Sequence, residues 1–184
     1  MNDVRAAARR AGILWLIVII VSIISVAEQS TQPRLAFAAT QLGGVCYLGV
    51  TVLLYELFRS IRSSVSAFGA ACGIAGVACG AALDMVPSGA QAQGFAISMV
   101  FFGAQILTIG YLITRSTLIP RALGVLLVLG GLSYLIFSFT SFLSPAVGTR
   151  IMPFIIPIAI LGEGSLTVWL LIKGVKQPHE IGGG

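Results

Sequence analysis

Residues 151–173 read IMPFIIPIAILGEGSLTVWLLIK. As a helix this run is long enough to cross a bilayer core of roughly 30 Å, which takes about 20 mostly apolar residues. Its formal charges are one acid, Glu163, and the terminal Lys173. Five further stretches of the same kind precede it, at about 12–27, 35–58, 65–86, 93–114 and 122–143. Leu, Ile, Val and Ala run through them without the alternation of a barrel strand, which means helix. Short interruptions carry breakers or charges: Glu28 to Arg34 with Pro33, Arg59 to Ser64, Pro87 to Gln91, Arg115 to Arg121 with Pro120, and Ser144 to Arg150 with Pro145. The expected fold is all-α, an integral-membrane six-helix transmembrane bundle in one domain over residues 1–184.

Composition agrees with that reading. The chain is 57% hydrophobic and 9% charged, with mean hydropathy +1.01, whereas soluble domains carry roughly 25% charge. So few charges cannot coat a water-facing surface, which argues against a soluble enzyme, a nucleic-acid-binding domain or a disordered tail. The basic residues also sort by loop. Arg5, Arg9, Arg10, Arg59, Arg62, Arg115, Arg121, Lys173 and Lys176 fall on the side of the N-terminus, and only Arg34 and Arg150 on the other. Nine against two is the bias that places both termini in the cytoplasm. The net charge of +5 is then a topology signal beside anionic lipid headgroups, with membrane lipids as partners and no nucleic acid. Arg9 and Arg10 before an apolar run ending Ser25-Val26-Ala27 also resemble a signal peptide. Cleavage would leave five helices with an outside amino terminus, so the first span is expected to be retained.

Several motifs bear on packing. Gly69, Gly73, Gly76 and Gly80 are spaced four, three and four along the third span, a small-residue ridge that lets helices approach closely in lipid. That span is small nearly all round and is expected at the centre of the bundle. YELFRS at residues 55–60 is echoed by YLITRS at 111–116, which suggests helix-hairpin repeats. Cys46, Cys72 and Cys79 all lie inside spans and read as small packing residues. Cys72 and Cys79 are about 10 Å apart along one axis, too far for a disulfide. No spacing resembles a metal site, and no cofactor is indicated.

Ionisable groups at membrane depth are costly and mark function by default. Asp3 and Glu180 lie in the tails, Glu28 in a loop, Glu56 one turn before Arg59, and Asp84 at the end of the third span. Glu163 alone is left near mid-membrane, between Gly162 and Gly164, with Pro153 and Pro157 upstream. Pro157 removes a helix hydrogen bond and is expected to kink the span, and interrupted helices at this depth build many transporter sites. Tyr47, Gln105 and Tyr134 count to a similar depth. They are candidate ligand-binding residues with Glu163, or the partners of a protonated Glu163 that serves as interhelical glue. The sole histidine, His179, is in the tail, and no Ser-His-Asp arrangement, HExxH motif, phosphate-binding loop or dinucleotide fingerprint is present. No catalytic residue is expected.

The second half resembles a known family. Phe101-Phe102-Gly103, Gly110-Tyr111-Leu112, Arg115-Ser116, residues 119–126 (IPRALGVL) and residues 162–171 (GEGSLTVWLL) are similar to the signature of a bacterial multi-span membrane family catalogued as a domain of unknown function, family 4386. The resemblance covers about residues 100–176. It implies a bacterial cytoplasmic (inner) membrane protein with six spans, and no particular activity. Gln105 stands where the family pattern has His, and Phe137 where it commonly has Asp, which lowers the case for catalysis or proton-coupled work. The functional expectation is a non-enzymatic protein that binds a small or lipophilic molecule, or a membrane partner, within its bundle. The alternative is a transport component, either a substrate-binding membrane subunit or a small transporter.

Overall fold

A computed structural model of the chain describes residues 2–83 and 91–175. Six helices follow in order: α1 (Asn2–Glu28), α2 (Pro33–Phe58), α3 (Ser63–Leu83), α4 (Gln91–Arg115), α5 (Arg121–Leu143) and α6 (Pro145–Ile172). The signals for their ends are local. Pro33 and Pro145 occupy first-turn positions, where the missing N–H costs nothing, and Pro120 is extended immediately before α5. α6 ends as Gly174 turns to φ +65° and donates its N–H to the Trp169 carbonyl at 3.1 Å, a left-handed cap.

Five of the helices, all but α3, are longer than the apolar runs suggest. α1 begins at Asn2 rather than near residue 12, because Arg5, Arg9 and Arg10 are accommodated in the same helix. Ser144 to Arg150, expected as a loop, is almost entirely the first turns of α6, so α5 and α6 are joined through Ser144 alone. α6 also runs unbroken through Pro153 and Pro157, and the interrupted helix expected there does not form. Asp84, Pro87, Lys176, His179, Glu180 and the terminal glycines lie outside the described residues.

Each helix packs against its chain neighbours, and α6 packs back on α1, closing a ring. The closest join is between α4 and α5. A Cβ added at Gly131 would lie 2.8 Å from the Gly103 carbonyl oxygen, and one at Gly124 would lie 2.8 Å from that of Gly110. The reciprocal positions are as tight: Gly103 faces the Gly131 oxygen at 3.0 Å and Gly110 the Gly124 oxygen at 2.8 Å. Two backbones therefore touch at two levels, seven residues apart on each antiparallel helix. In lipid such packing replaces hydrophobic burial as the force that joins helices. Gly162 does the same for α6 against α5, with the Leu126 oxygen 2.9 Å from its ideal Cβ position, and Gly12 joins α1 to α6 against Leu170 and Leu171.

The glycine ridge of α3 is oriented as expected over three of its four members. Gly69 faces Thr108, Gly73 the Gln105 amide and Gly76 the Phe102 ring, all on α4, whereas Gly80 meets nothing within 4 Å. The expected central position of α3 is not found. Ala67, Phe68, Ala71, Ile74 and Ala78 form an exposed stripe on it, and α4 is the enclosed helix instead. From Gly94 onward only Phe95, Ile97 and Arg115 of α4 are exposed. Small residues on α3 serve close contact with α4 on one face and leave the other to the surroundings. The YELFRS and YLITRS echo marks one end of the bundle, where Arg62 donates to the Tyr111 hydroxyl at 2.9 Å. The hairpins themselves differ, since α2 and α3 lack the paired backbone contacts of α4 and α5, and Gly44 meets a Val77 methyl at 3.4 Å.

The end that carries the α1 N-terminus is solid. Leu54, Phe58, Ile109, Leu112, Ile113, Leu166 and Leu170 form one buried cluster there with Ala8 and Ala11. Outward-facing Ile13, Ile20, Val45, Val52, Ile74, Leu129, Ile160 and others are exposed, and all six helices are long and apolar enough to cross a membrane. Gly131→Ala is expected to lower stability by about 1–3 kcal/mol, because the methyl meets backbone that cannot move aside. Gly164→Ala, where an added Cβ meets nothing within 4 Å, is expected to leave the melting temperature in detergent unchanged or raised. Equal melting of both variants and wild type would show that the α4–α5 backbones have room to spare.

Candidate functional site

Above the solid end the ring opens into a cavity of about 450 Å³. Every helix contributes to its wall: Val18 to Val26 from α1, Thr40 to Tyr47 from α2, Gly76 to Ala81 from α3, Phe95 to Phe102 from α4, Tyr134 from α5 and Glu163 from α6. Most of the α1, α2, α3 and α4 residues lie toward the loop end opposite the termini, whereas Tyr47, Phe102, Tyr134 and Glu163 lie deeper. The cavity is thus a vestibule, with Glu163, Tyr134, Tyr47 and Phe102 toward its floor and the buried aliphatic cluster beneath.

Both carboxyl oxygens of Glu163 are engaged. The Tyr134 hydroxyl donates to Oε1 at 2.7 Å, and the Trp15 indole donates to Oε2 at 3.1 Å. One side chain therefore ties α6 to α5 and to α1. The backbone arranges this from below: Gly162, one residue earlier, lets α6 settle against α5 and brings Tyr134 within reach. Thr167 Oγ1 donates to the Glu163 carbonyl at 2.8 Å. Gly164, the other flanking glycine, makes no close approach, so only one of the pair serves as a packing notch.

Tyr47 lines the cavity and stands edge-on to the rings of Trp15, at 6.4 Å between centroids, and of Phe102, at 4.9 Å. It is a wall of the site rather than a hydrogen-bond partner of Glu163. Gln105 is the one candidate the structure sets apart. Its Nε2 donates to Thr51 Oγ1 at 3.0 Å, its Oε1 has no hydrogen-bond partner, and its amide lies against Gly73. It is 2% exposed and joins α4 to α2 and α3 on the terminal side of the vestibule. Phe137 is buried and stacks edge-on to Phe95 at 6.0 Å, closing the wall between α4 and α5.

Trp15 is the site residue that sequence reasoning missed. Its indole is fully buried, midway along a helix that begins at Asn2. A span that starts near residue 12 leaves Trp15 within a turn of the membrane interface, where tryptophan is commonplace. The usable signal was the polar spacing before it: Arg5, Arg9 and Arg10 fall within two turns and can continue a helix inward from the headgroups.

Removing the carboxyl strands two donors, whereas an amide keeps the shape and an acceptor. Glu163→Gln is therefore expected to cost roughly 1 kcal/mol or less, the scale of interhelical hydrogen bonds in membranes. Glu163→Leu leaves Trp15 Nε1 and Tyr134 Oη unpaired and is expected to cost about 1–3 kcal/mol. Thermal unfolding in a nonionic detergent reads both, and an unchanged midpoint for Glu163→Leu would show that the carboxyl ties nothing together.

No curated protein and no solved structure matches the chain. A family model described as "Domain of unknown function (DUF4386)" matches residues 81–174, the stretch that supplies α4, α5, α6, Tyr134 and Glu163. Trp15 and Tyr47 come from outside that stretch. On this match the chain belongs to the DUF4386 family.

Proposed function

We propose that this is a non-enzymatic membrane protein that binds a small lipophilic molecule in the vestibule. The observation that carries the reading is the cavity itself, which has the size of a small-molecule site, a mostly apolar wall and a few convergent polar groups that meet at Glu163. Non-catalytic binding is favoured because the described residues of the cavity wall include neither His nor Cys, and both Glu163 oxygens already accept hydrogen bonds. Binding is favoured over transport because the aliphatic cluster around Phe58, Ile113 and Leu170 stands between the floor and the opposite end. We further propose a bacterial inner-membrane location with lipids as partners, no nucleic-acid partner, and both termini cytoplasmic. The nine-to-two distribution of Lys and Arg supports that orientation, and it puts the vestibule on the extracytoplasmic side.

Native mass spectrometry of protein released from membranes is expected to show a bound small molecule or lipid. Gly80→Phe tests whether it sits in the vestibule, because Gly80 lines the cavity and its side-chain direction is open within 4 Å. The ring should fill the space, and the adduct should be lost while the melting temperature holds. The same adduct in wild type and Gly80→Phe, or none in wild type, would overturn the reading. Engineered cysteines near Arg34 and Arg150 are expected to react with an impermeant maleimide on intact cells. Labelling near Arg59 instead would reverse the orientation.

A further inference from the structure

Resting on the reading of the vestibule as a ligand site, we propose that its ligand is an organic ammonium cation, with the charged nitrogen over the Glu163 carboxylate and an apolar body along the wall. Four observations converge on this class. Among the described residues that line the cavity, Glu163 is the one formally charged side chain, with no Lys, Arg or His beside it. The protein therefore supplies negative charge to this space without a cation to match it, and an anionic ligand would meet only repulsion.

The second observation is the hydrogen-bond pattern. An indole N–H can only donate, so Trp15 fixes Glu163 Oε2 as an acceptor. The Tyr134 hydroxyl lies 2.7 Å from Oε1, so an ionised Glu163, which accepts only, has a neutral donor for each oxygen. Such a pair orients the group without neutralising it. The third is aromatic content. Tyr47, Phe102, Phe95 and Tyr134 all line the cavity, and aromatic faces in a space that also holds a carboxylate are the chemistry that recognises substituted ammonium groups.

The fourth is size and donor set. A cavity of about 450 Å³ is far larger than a bare metal ion requires, and no group of three or more metal-binding side chains is present among the described residues. The aliphatic part of the wall, with Val18, Val26, Val77 and Met99, suits hydrocarbon. A charged head on an apolar body satisfies both parts of the space.

The test uses two probes of nearly the same shape, benzyltrimethylammonium and its neutral carbon analogue neopentylbenzene, with full-length protein in maltoside micelles. Binding is read by isothermal titration and by the shift in melting temperature. Wild type is expected to bind the cation at least tenfold more tightly than the neutral analogue. Glu163→Gln should weaken the cation at least tenfold and leave the analogue unchanged. Phe102→Leu keeps both Glu163 hydrogen bonds and should weaken the cation about three- to tenfold, within the span of cation–π contacts, so the inference stays testable if Glu163→Gln folds poorly. Equal binding of both probes, unaffected by either substitution, would sink the cation while leaving the vestibule as a ligand site. Failure of both probes would also sink it, and the Gly80→Phe adduct experiment then decides separately whether the vestibule binds anything.

Discussion

The contact on which the rest depends is the approach of two backbones between α4 and α5. Gly103 against Gly131 and Gly110 against Gly124 bring the helices so close that no side chain fits between them. This fixes the axial register of α5, because a slide of one residue would set a side chain against a carbonyl. α5 in turn receives α6 through the notch at Gly162, and α6 reaches α1 through Gly12. Glycine contacts thus run in series through half of the ring, and the position of Glu163 is the end point of that series. Dispersion between closely packed backbones is short-ranged, so a shift of a fraction of an ångström at the first contact is passed on to the last.

The ring and the vestibule follow from a division of labour along the membrane normal. At the end bearing the N-terminus, large aliphatic side chains and Phe58 fill the centre. Toward the other end the inward positions are small or hydroxyl-bearing, among them Ser22, Ser25, Gly43, Gly44, Gly76 and Gly80. Six helices cannot close over residues that small, so space remains. Ser25 and Thr40 share a hydrogen bond of 2.7 Å there, holding α1 to α2 where packing is thin. The cavity is therefore written into the side-chain volumes of one half of the bundle, just as the plug is written into the other.

Much of this was legible in the sequence. Six apolar runs gave six helices, since backbone groups in a membrane must be satisfied within each span. Glu163 stood out because a carboxyl is costly at that depth, and Tyr134 shared its level. Three things were not legible. Gln105 shares with Phe102 the face of α4 that meets the α3 glycines, but it lies nearly a turn nearer the terminal end and meets Thr51 and Gly73 there. Counting along separate spans does not fix depth to within one turn. The prolines of α6 suggested an interruption, yet a helix packed along its length tolerates the loss of single hydrogen bonds. The reciprocal glycines of α4 and α5 were present as Gly103, Gly110, Gly124 and Gly131, but a seven-residue spacing on two separate helices shows its meaning only when the helices are placed antiparallel.

The bond between Trp15 and Glu163 joins residues 148 positions apart, from the first helix to the last. Membrane chains are made and inserted from the amino terminus, so α1 is in place long before its partner exists. Through that interval the indole N–H faces either lipid or another helix, and the carboxyl it will meet has not been synthesised. The ring therefore cannot close between Trp15 and Glu163 before α6 is made, and the vestibule acquires its floor in the same step. A chain arrested after five helices would hold the Gly-mediated α4–α5 pair intact and still present an open seam between α1 and α5. Such a seam is polar at Trp15 and Tyr134 and otherwise apolar.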